Sequence, residues 1–270
     1  MSIEQDVAAK KTLVADWFGR SAAVYLSPFF SYPGHRLVEL AGVRPGAQVL
    51  DVCTGTGAVL IPAVQAVGDA GHVTGIDFAD EMVQEVSNGI TRKGLANADA
   101  RQMDAEQLDF PDASFDYVLV GFGINFLPRQ QQALAEMKRV LKPGGVLAVS
   151  TWGEGNELAG RYGQLAKDFN VIQPDLESHH LGTQESLKAV FLEAGCPDVQ
   201  VTAEMVKVIF DNKQEYWAQR MPVEQVALED LNPRGADFRR AVYALLEDYL
   251  YVDGVHETRD VLYAAATVQK

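Results

Sequence analysis

Between residues 48 and 152 apolar runs alternate with amphipathic stretches, and this rhythm restricts the fold more than any other feature of the chain. Strands are expected at 48–52, 71–77 ("GHVTGID"), 98–102, 114–123 ("SFDYVLVGFG") and 144–152 ("GGVLAVSTW"), the last introduced by the turn Pro143-Gly144-Gly145. Helical spacing of apolar positions falls between them, near 57–67, 79–93 and 129–141. A strand that returns through a helix pairs parallel to the strand it left, with a right-handed crossover. The expectation is therefore an α/β protein built on a doubly wound, mostly parallel sheet.

Outside this stretch the pattern changes. Residues 3–17 carry a helical stripe of Ile3, Val7, Val14 and Trp17. An aromatic-rich segment from Trp17 to Tyr32 follows, and a short helix at about 34–42 ends at Gly42. Residues 1–45 read as an N-terminal helical lid on a domain spanning 46–270. After Trp152, residues 155–182 read as irregular and polar, 184–194 as a helix stopped by Gly195, and 198–210 as an alternating strand. Residues 213–250 look largely helical, interrupted at Pro222 and Pro233. "DVLYAAATVQK" would supply the seventh and last strand. Segments of about 153–182 and 211–250 are expected to cap a site.

Net charge bounds the partners. At −14 the surface repels phosphate backbones and anionic lipid headgroups, which argues against nucleic acid as the partner. No apolar run approaches the roughly 18 residues of a membrane-spanning helix, and the N-terminus has no signal-peptide core, so stable membrane insertion is not expected and cytoplasmic is the default. Two cysteines form no disulfide framework, and no H-x-x-x-H or His/Cys cluster suggests a metal. Oligomeric state has no signature in the sequence.

"VLDVCTGTGAVL" (49–60) is where chemistry enters. A buried strand gives way to small residues, and a helix expected from about Gly57 would aim its unpaired N–H groups beyond the strand end. Gly55 and Gly57 allow a ligand to approach the backbone closely. In open α/β sheets that is the ligand crevice. Counting from Gly55 gives Gly55, Gly57 and then Leu60, so the dinucleotide fingerprint lacks its third small residue, and the Walker lysine loop is absent. Asp51 at the mouth would repel pyrophosphate and suits a cation. Asp77, 20 positions beyond Gly57, ends the next strand and is placed to accept bonds from a ribose diol. Asp104 follows the third strand and suits an adenine amino group. Three acids on consecutive strand ends fit a small-molecule ligand with a ribose, an amino-purine and positive charge, as in S-adenosylmethionine.

The segments "VLDVCTGTG", "VTGIDFADEMV", "MDAEQLDFPDASFDYVLVGFGINFLP" and "RVLKPGGVLAVSTW" occur in this order within 46–152. Together they resemble class I S-adenosylmethionine-dependent methyltransferases, specifically the ubiquinone/menaquinone-biosynthesis (methyltransferase type 11) group, which implies a Rossmann-like methyltransferase fold. By that resemblance Asp51, Gly55 and Gly57 surround the methionine part of the donor. Asp77 holds its ribose, with Phe78 and Met82 beside the adenosine. Asp104 and the N–H of Ala105 meet the adenine edge, and Gly121 lies near the amino group and sulfonium. Cys53 stands where the common motif has glycine. The acceptor would be a small aromatic or polyketide-like molecule methylated at O or C, with Tyr25, His35, Asn125 and Trp152 as candidates for its walls; His179 and His180 also fall where they could reach it.

Each assignment has a plainer rival. Asp51, Asp77 and Asp104 are all placed to cap a following helix or turn. Cys53 serves as a small packing residue as readily as a ligand contact, and no base adjoins it to make a nucleophile. The aromatics of 17–32 suit simple core packing. An enzyme of this fold that keeps the donor but catalyses cyclisation or decarboxylation would show the same donor motifs, whereas a non-catalytic binding protein would show a degraded glycine turn or a lost acid at the end of the second strand, and both are intact here. The sequence singles out no catalytic base.

Overall fold

The computed structural model describes residues 3–22, 30–155, 157–170, 179–219 and 235–269. Tyr25, Pro222 and Pro233 lie outside the described residues. In chain order the elements are α1 (Ile3–Arg20), α2 (Ser31–Ala41), β1 (Gln48–Val52), α3 (Leu60–Val67), β2 (His72–Asp77), α4 (Asp80–Lys93), β3 (Ala98–Gln102), β4 (Phe115–Gly121), α5 (Gln130–Val140), β5 (Leu141–Trp152), α6 (Glu157–Asp168), α7 (Gln184–Glu193), β6 (Gln200–Phe210), α8 (213–219), α9 (Gly235–Leu245), β7 (Leu250–Tyr251) and β8 (Gly254–Thr267).

Seven strands run in the order β3-β2-β1-β4-β5-β8-β6, and the two-residue β7 pairs with β8 as an eighth. β1 pairs parallel with both β2 and β4; β2–β3 and β4–β5 are also parallel, whereas β5–β8 is antiparallel. The chain divides into two compact units, Met1–Trp152 with Leu176–Ala203 and Val261–Lys270, and Gly153–Asp175 with Glu204–Asp260.

In the first unit, Val49, Leu50 and Val52 of β1 and Val118, Leu119 and Val120 of β4 have no solvent exposure. That is the continuous apolar reading of central parallel strands covered on both faces. Edge strand β3 ("ADARQ") has no fully buried residue. α4 buries Met82, Val83, Val86 and Ile90 on one face and ends at Gly94, whose φ of 64° makes the left-handed cap. α5 buries Ala133, Leu134, Met137 and Val140. α7 begins with a reciprocal Thr183–Ser186 capping box.

The second unit has its own apolar cluster, with Leu158 and Tyr162 of α6, Tyr216 and Trp217 of α8, Phe238 and Val242 of α9, and Phe210 and Val255 from the strands. Phe210 and Tyr216 meet edge to face at 4.9 Å between centroids. Among the described residues no helix is long and apolar enough to cross a membrane.

Four sequence expectations are corrected. Residues 155–182 are not irregular throughout, because α6 occupies Glu157–Asp168. α3 starts at Leu60 rather than near Gly57, since Gly55 (φ 53°) and Gly57 (φ 92°) take positive-φ backbone that a right-handed helix does not contain. The Pro143-Gly144-Gly145 turn lies within β5, where the pairing with β4 shifts register between Phe115 and Tyr117. The last strand begins earlier than "DVLYAAATVQK", at Gly254.

Leu50 is fully buried in the main apolar cluster. Leu50→Ala is expected to destabilise the protein by about 2–5 kcal/mol, read as a lower urea midpoint at unchanged slope. An unchanged midpoint would show that the cluster closes over the deleted methyls.

Candidate functional site

Parallel pairing on both sides of β1 brings the carboxyl ends of β1, β2 and β4 together, with Asp51 in register with Gly75 on one side and Leu119 on the other. A cavity of about 190 Å³ opens there. The turn Cys53–Thr56, Asp77, Phe78, Ala79 and Met82 line it, as do Asp104, Ala105 and Gly121. Lys11, Val14, Ala15 and Phe18 from one face of α1 complete the wall with Phe30, Phe122, Phe126 and Trp152.

The turn is held open by backbone geometry. Gly55 has open space around the position of a Cβ, whereas a methyl at Gly57 would lie 2.9 Å from Val86 Cγ2. At Gly34, in α2, a Cβ would fall 2.0 Å from the carbonyl oxygen of Ala58, so that helix seats its backbone directly on the turn. Cys53 and Phe122, the first residues after β1 and β4, both have positive φ, 56° and 58°. Only glycine adopts that region freely, which explains why glycine suits position 53 of such a turn.

Asp77 accepts the Gly55 N–H on Oδ2 at 2.9 Å and the Ala79 N–H on Oδ1 at 3.0 Å. These bonds hold the carboxylate across the turn. The residue flanking α4 is Ala79, which makes no side-chain cap, so Asp77 orders the β2–α4 connection without capping the helix. Burial pushes its pKa up, opposed by the N–H groups of Ala79, Gly55 and Phe78. Asp51 lies beneath the turn with no exposure and does not line the cavity. Its Oδ2 accepts the Thr54 hydroxyl at 2.6 Å, and its Oδ1 is buried without a hydrogen-bond partner. Burial raises the Asp51 carboxyl to about 7; the Thr54 hydroxyl opposes the shift and the charge of Asp77 adds to it.

Asp104 caps its own turn, since Oδ1 accepts the Glu106 N–H at 2.9 Å. Its Oδ2 accepts from Lys11 Nζ at 2.7 Å. The same ammonium lies 2.5 Å from Glu106 Oε2. Cys53 Sγ would be 2.8 Å from a Cβ at Gly123, so the thiol packs against the strand β4 exit. Burial pushes the thiol pKa well above its ordinary value, and the charges of Asp77, Asp51 and Asp104 add to this. Cys53 is therefore a protonated packing group at neutral pH.

Five rings bound a second part of the cavity. Phe122 stacks on Trp152 at 4.1 Å between centroids, Phe30 meets Phe122 at 5.8 Å, and Phe18 meets Phe126 edge to face at 4.9 Å. Of the acceptor-wall candidates, Trp152 lines the cavity. His35 points to solvent with Nδ1 2.8 Å from the Ser31 carbonyl, because α2 turns the adjacent Gly34 inward. Asn125 is buried, accepts the Thr151 hydroxyl at 3.1 Å and takes the His179 N–H on its carbonyl; neither it nor His179 or His180 is among the lining residues. Tyr25 lies outside the described residues. Thr54, Glu106 and Phe122 fall inside the segments that carry the resemblance without being singled out by it, and Lys11, which lies outside them, emerges only from the fold.

Residues 31–156 match the ubiE/COQ5 methyltransferase family. The ubiquinone/menaquinone biosynthesis C-methyltransferase UbiE of Ectopseudomonas mendocina is 36% identical over 71% of this chain and 84% of its own length. The chain belongs to this family. Another relative, the demethylmenaquinone methyltransferase of Listeria monocytogenes serotype 4a, is 45% identical over 41% of this chain. That match spans about half, 47%, of the relative's length. The YcgJ protein of Bacillus subtilis shares the fold, with a TM-score of 0.59 at 19% identity over 88% of this chain and 99% of that one.

The buried Asp51 carboxylate makes a prediction for the ligand-free protein. Its ordinary value is 3.8 and its folded value about 7. Between these pH values the unfolded chain is ionised while the folded chain keeps the proton, so stability falls as pH rises through the window and is level above it. Asp51→Asn removes this contribution, and urea midpoints measured from about pH 4 to 8 are expected to fall less steeply than in the wild type. Asp77, shifted in the same direction, leaves a residual slope. Parallel curves for the two proteins would show that Asp51 is ionised throughout.

Proposed function

We propose that the chain binds S-adenosylmethionine in this cavity and transfers its methyl group to carbon or oxygen of a small, flat acceptor of aromatic or polyketide-like character. The observation that carries the reading is the pairing, in one cavity, of an open glycine turn flanked by Asp77 and Asp104 with a wall of packed rings. Family membership supports the donor. The name of the UbiE relative, a C-methyltransferase of quinone biosynthesis, supports a cyclic acceptor methylated at carbon.

The residues present fit the donor. Asp77 accepts the Gly55 N–H on one oxygen and the Ala79 N–H on the other, and a carboxylate has about four lone-pair sites, so acceptor capacity remains for a ribose hydroxyl. Asp104 lies with the Ala105 backbone on the cavity wall, an acceptor and a donor side by side as an adenine edge requires. Asp51 lies beneath the turn with its Oδ1 unpartnered, and a cationic methionine portion bound above it would favour its ionised form. When bound, S-adenosylmethionine supplies a methyl group made electrophilic by its sulfonium.

The protein's own part is alignment and exclusion of water. Holding an acceptor in near-attack geometry is worth an effective molarity on the order of 10⁵–10⁸ M. Phe122, Trp152 and Phe30 offer apolar faces against which a flat acceptor can stack. Among the described residues the lining has no histidine. An acceptor that ionises readily, such as an acidic phenol or an enolisable carbon, needs little help from a base.

Isothermal titration with S-adenosylhomocysteine is expected to show one site, and Asp77→Ala to weaken it by about tenfold to a hundredfold, the loss of hydrogen bonds to a charged acceptor. Incubation with methyl-labelled donor and a panel of quinols and phenolic acceptors is expected to label product. No binding would remove the donor assignment, and product formed without label would replace methyl transfer by another reaction on the same site.

A further inference from the structure

Lys11 is the one cation among the described residues that line the cavity. It lies on the third turn of α1, on the face that also presents Val14, Ala15 and Phe18, and its side chain is 16% exposed. Its ammonium bridges two carboxylates from a different part of the chain, at 2.7 Å from Asp104 Oδ2 and 2.5 Å from Glu106 Oε2. Glu106 is almost fully buried, with a side-chain exposure of 1%. Its Oε1 accepts the Arg129 N–H at 2.7 Å, and its carbonyl accepts Gln132 Nε2 at 2.9 Å. The loop after β3 is thus tied to α5 on one side and to α1 on the other. Arg129 also pairs with Glu4, one further tie between α1 and this region.

Asp104 on the cavity wall and the buried Glu106 behind it share one ammonium; neighbouring carboxylates repel each other, and a buried charge with no counter-charge is strongly destabilising. The Lys11 ammonium meets both demands at once. It also occupies one lone pair of Asp104 Oδ2, which leaves the remaining acceptor capacity of that carboxylate pointed by two fixed donors, Lys11 Nζ and the Glu106 N–H. We propose that Lys11 is a positioning residue for base recognition: by bridging Asp104 and Glu106 it aims the Asp104 carboxylate at the exocyclic amino group of the bound nucleoside, so that the choice of base depends on a residue of the N-terminal helix. The proposal rests on the donor site described above.

Binding of S-adenosylhomocysteine and of its deaminated analogue S-inosylhomocysteine, which carries a 6-oxo group in place of the amino group, separates this role from a structural one. The wild type is expected to prefer the adenine ligand by about tenfold or more, as for a hydrogen bond to a charged acceptor. In Lys11→Met that preference collapses towards unity. The double variant Lys11→Met with Glu106→Gln leaves no buried unpaired charge, relieves the repulsion on Asp104 and is expected to recover most of the preference; Lys11→Arg keeps it. An unchanged preference in Lys11→Met, or equal weakening of both ligands, would overturn the proposal. Failure of the double variant to recover it, in a protein that still binds, would overturn it too, because the lost preference would then not arise from the unbridged repulsion between Asp104 and Glu106. Should the wild type bind neither ligand, the donor reading itself falls, which is a different failure from the loss of selectivity.

Discussion

Parallel pairing on both flanks of β1 is the constraint from which the site follows. β2 lies on one side of β1 and β4 on the other, so the chain that leaves each strand must travel in opposite directions to reach its next helix. A gap opens between the departing connections, and it cannot be filled by either. Asp51, Asp77 and Gly121 stand at or next to the carboxyl ends of these three strands because their apolar runs end there. The position of the cavity is therefore a consequence of strand order, and its chemistry a consequence of which side chains interrupt the apolar pattern.

Those side chains work against the stability of the ligand-free protein. Asp51 and Asp77 are carboxylates taken out of water, and burial raises the pKa of both. Neither has a cationic side chain as hydrogen-bond partner; their bonds are to the Thr54 hydroxyl and to backbone N–H groups. Asp104 and Glu106 differ, since Lys11 supplies the counter-charge. The cavity thus has beside it one carboxylate pair, Asp104 with Glu106 behind it, neutralised from within the protein, and another, Asp77 with Asp51 beneath the turn, that has no cationic side chain as hydrogen-bond partner. That asymmetry suits a ligand with a neutral base at one end and a cationic group at the other.

Much of the sheet was legible because a strand buried on both faces must be apolar throughout and must stop at a polar or small residue. The spans 48–52 and 98–102 coincide with β1 and β3, and α4, α5 and α7 lie within a residue of their expected bounds. α6 was not legible. It buries only Leu158, Tyr162 and Ala166, a stripe one residue wide at four-residue spacing, and it contains Gly160 and Gly163, which argue against a helix on propensity. At the site, the carboxylates were legible as interruptions at strand ends. Lys11 was not, since its partner Asp104 is 93 residues away and nothing local marks a helix lysine as facing inward. Nor was the fate of His35 legible, because one residue of helical rotation decides between the turn and the solvent.

Cys53 and Phe122 show how the two sides of the gap are locked together. Each has positive φ, a conformation that costs a non-glycine residue about 1–3 kcal/mol and persists only where its surroundings impose it. At Cys53 the side chain fills the space in front of Gly123, where any Cβ would lie 2.4 Å from its own. At Phe122 the N–H donates to the Ser150 carbonyl at 3.0 Å and the ring stacks on Trp152, both residues of β5. The exit of β1 is thus packed against the exit of β4, and the exit of β4 is bonded to β5. Strain at either residue is supported by the other strand's contacts, so the glycine turn and the ring wall form one mechanical unit.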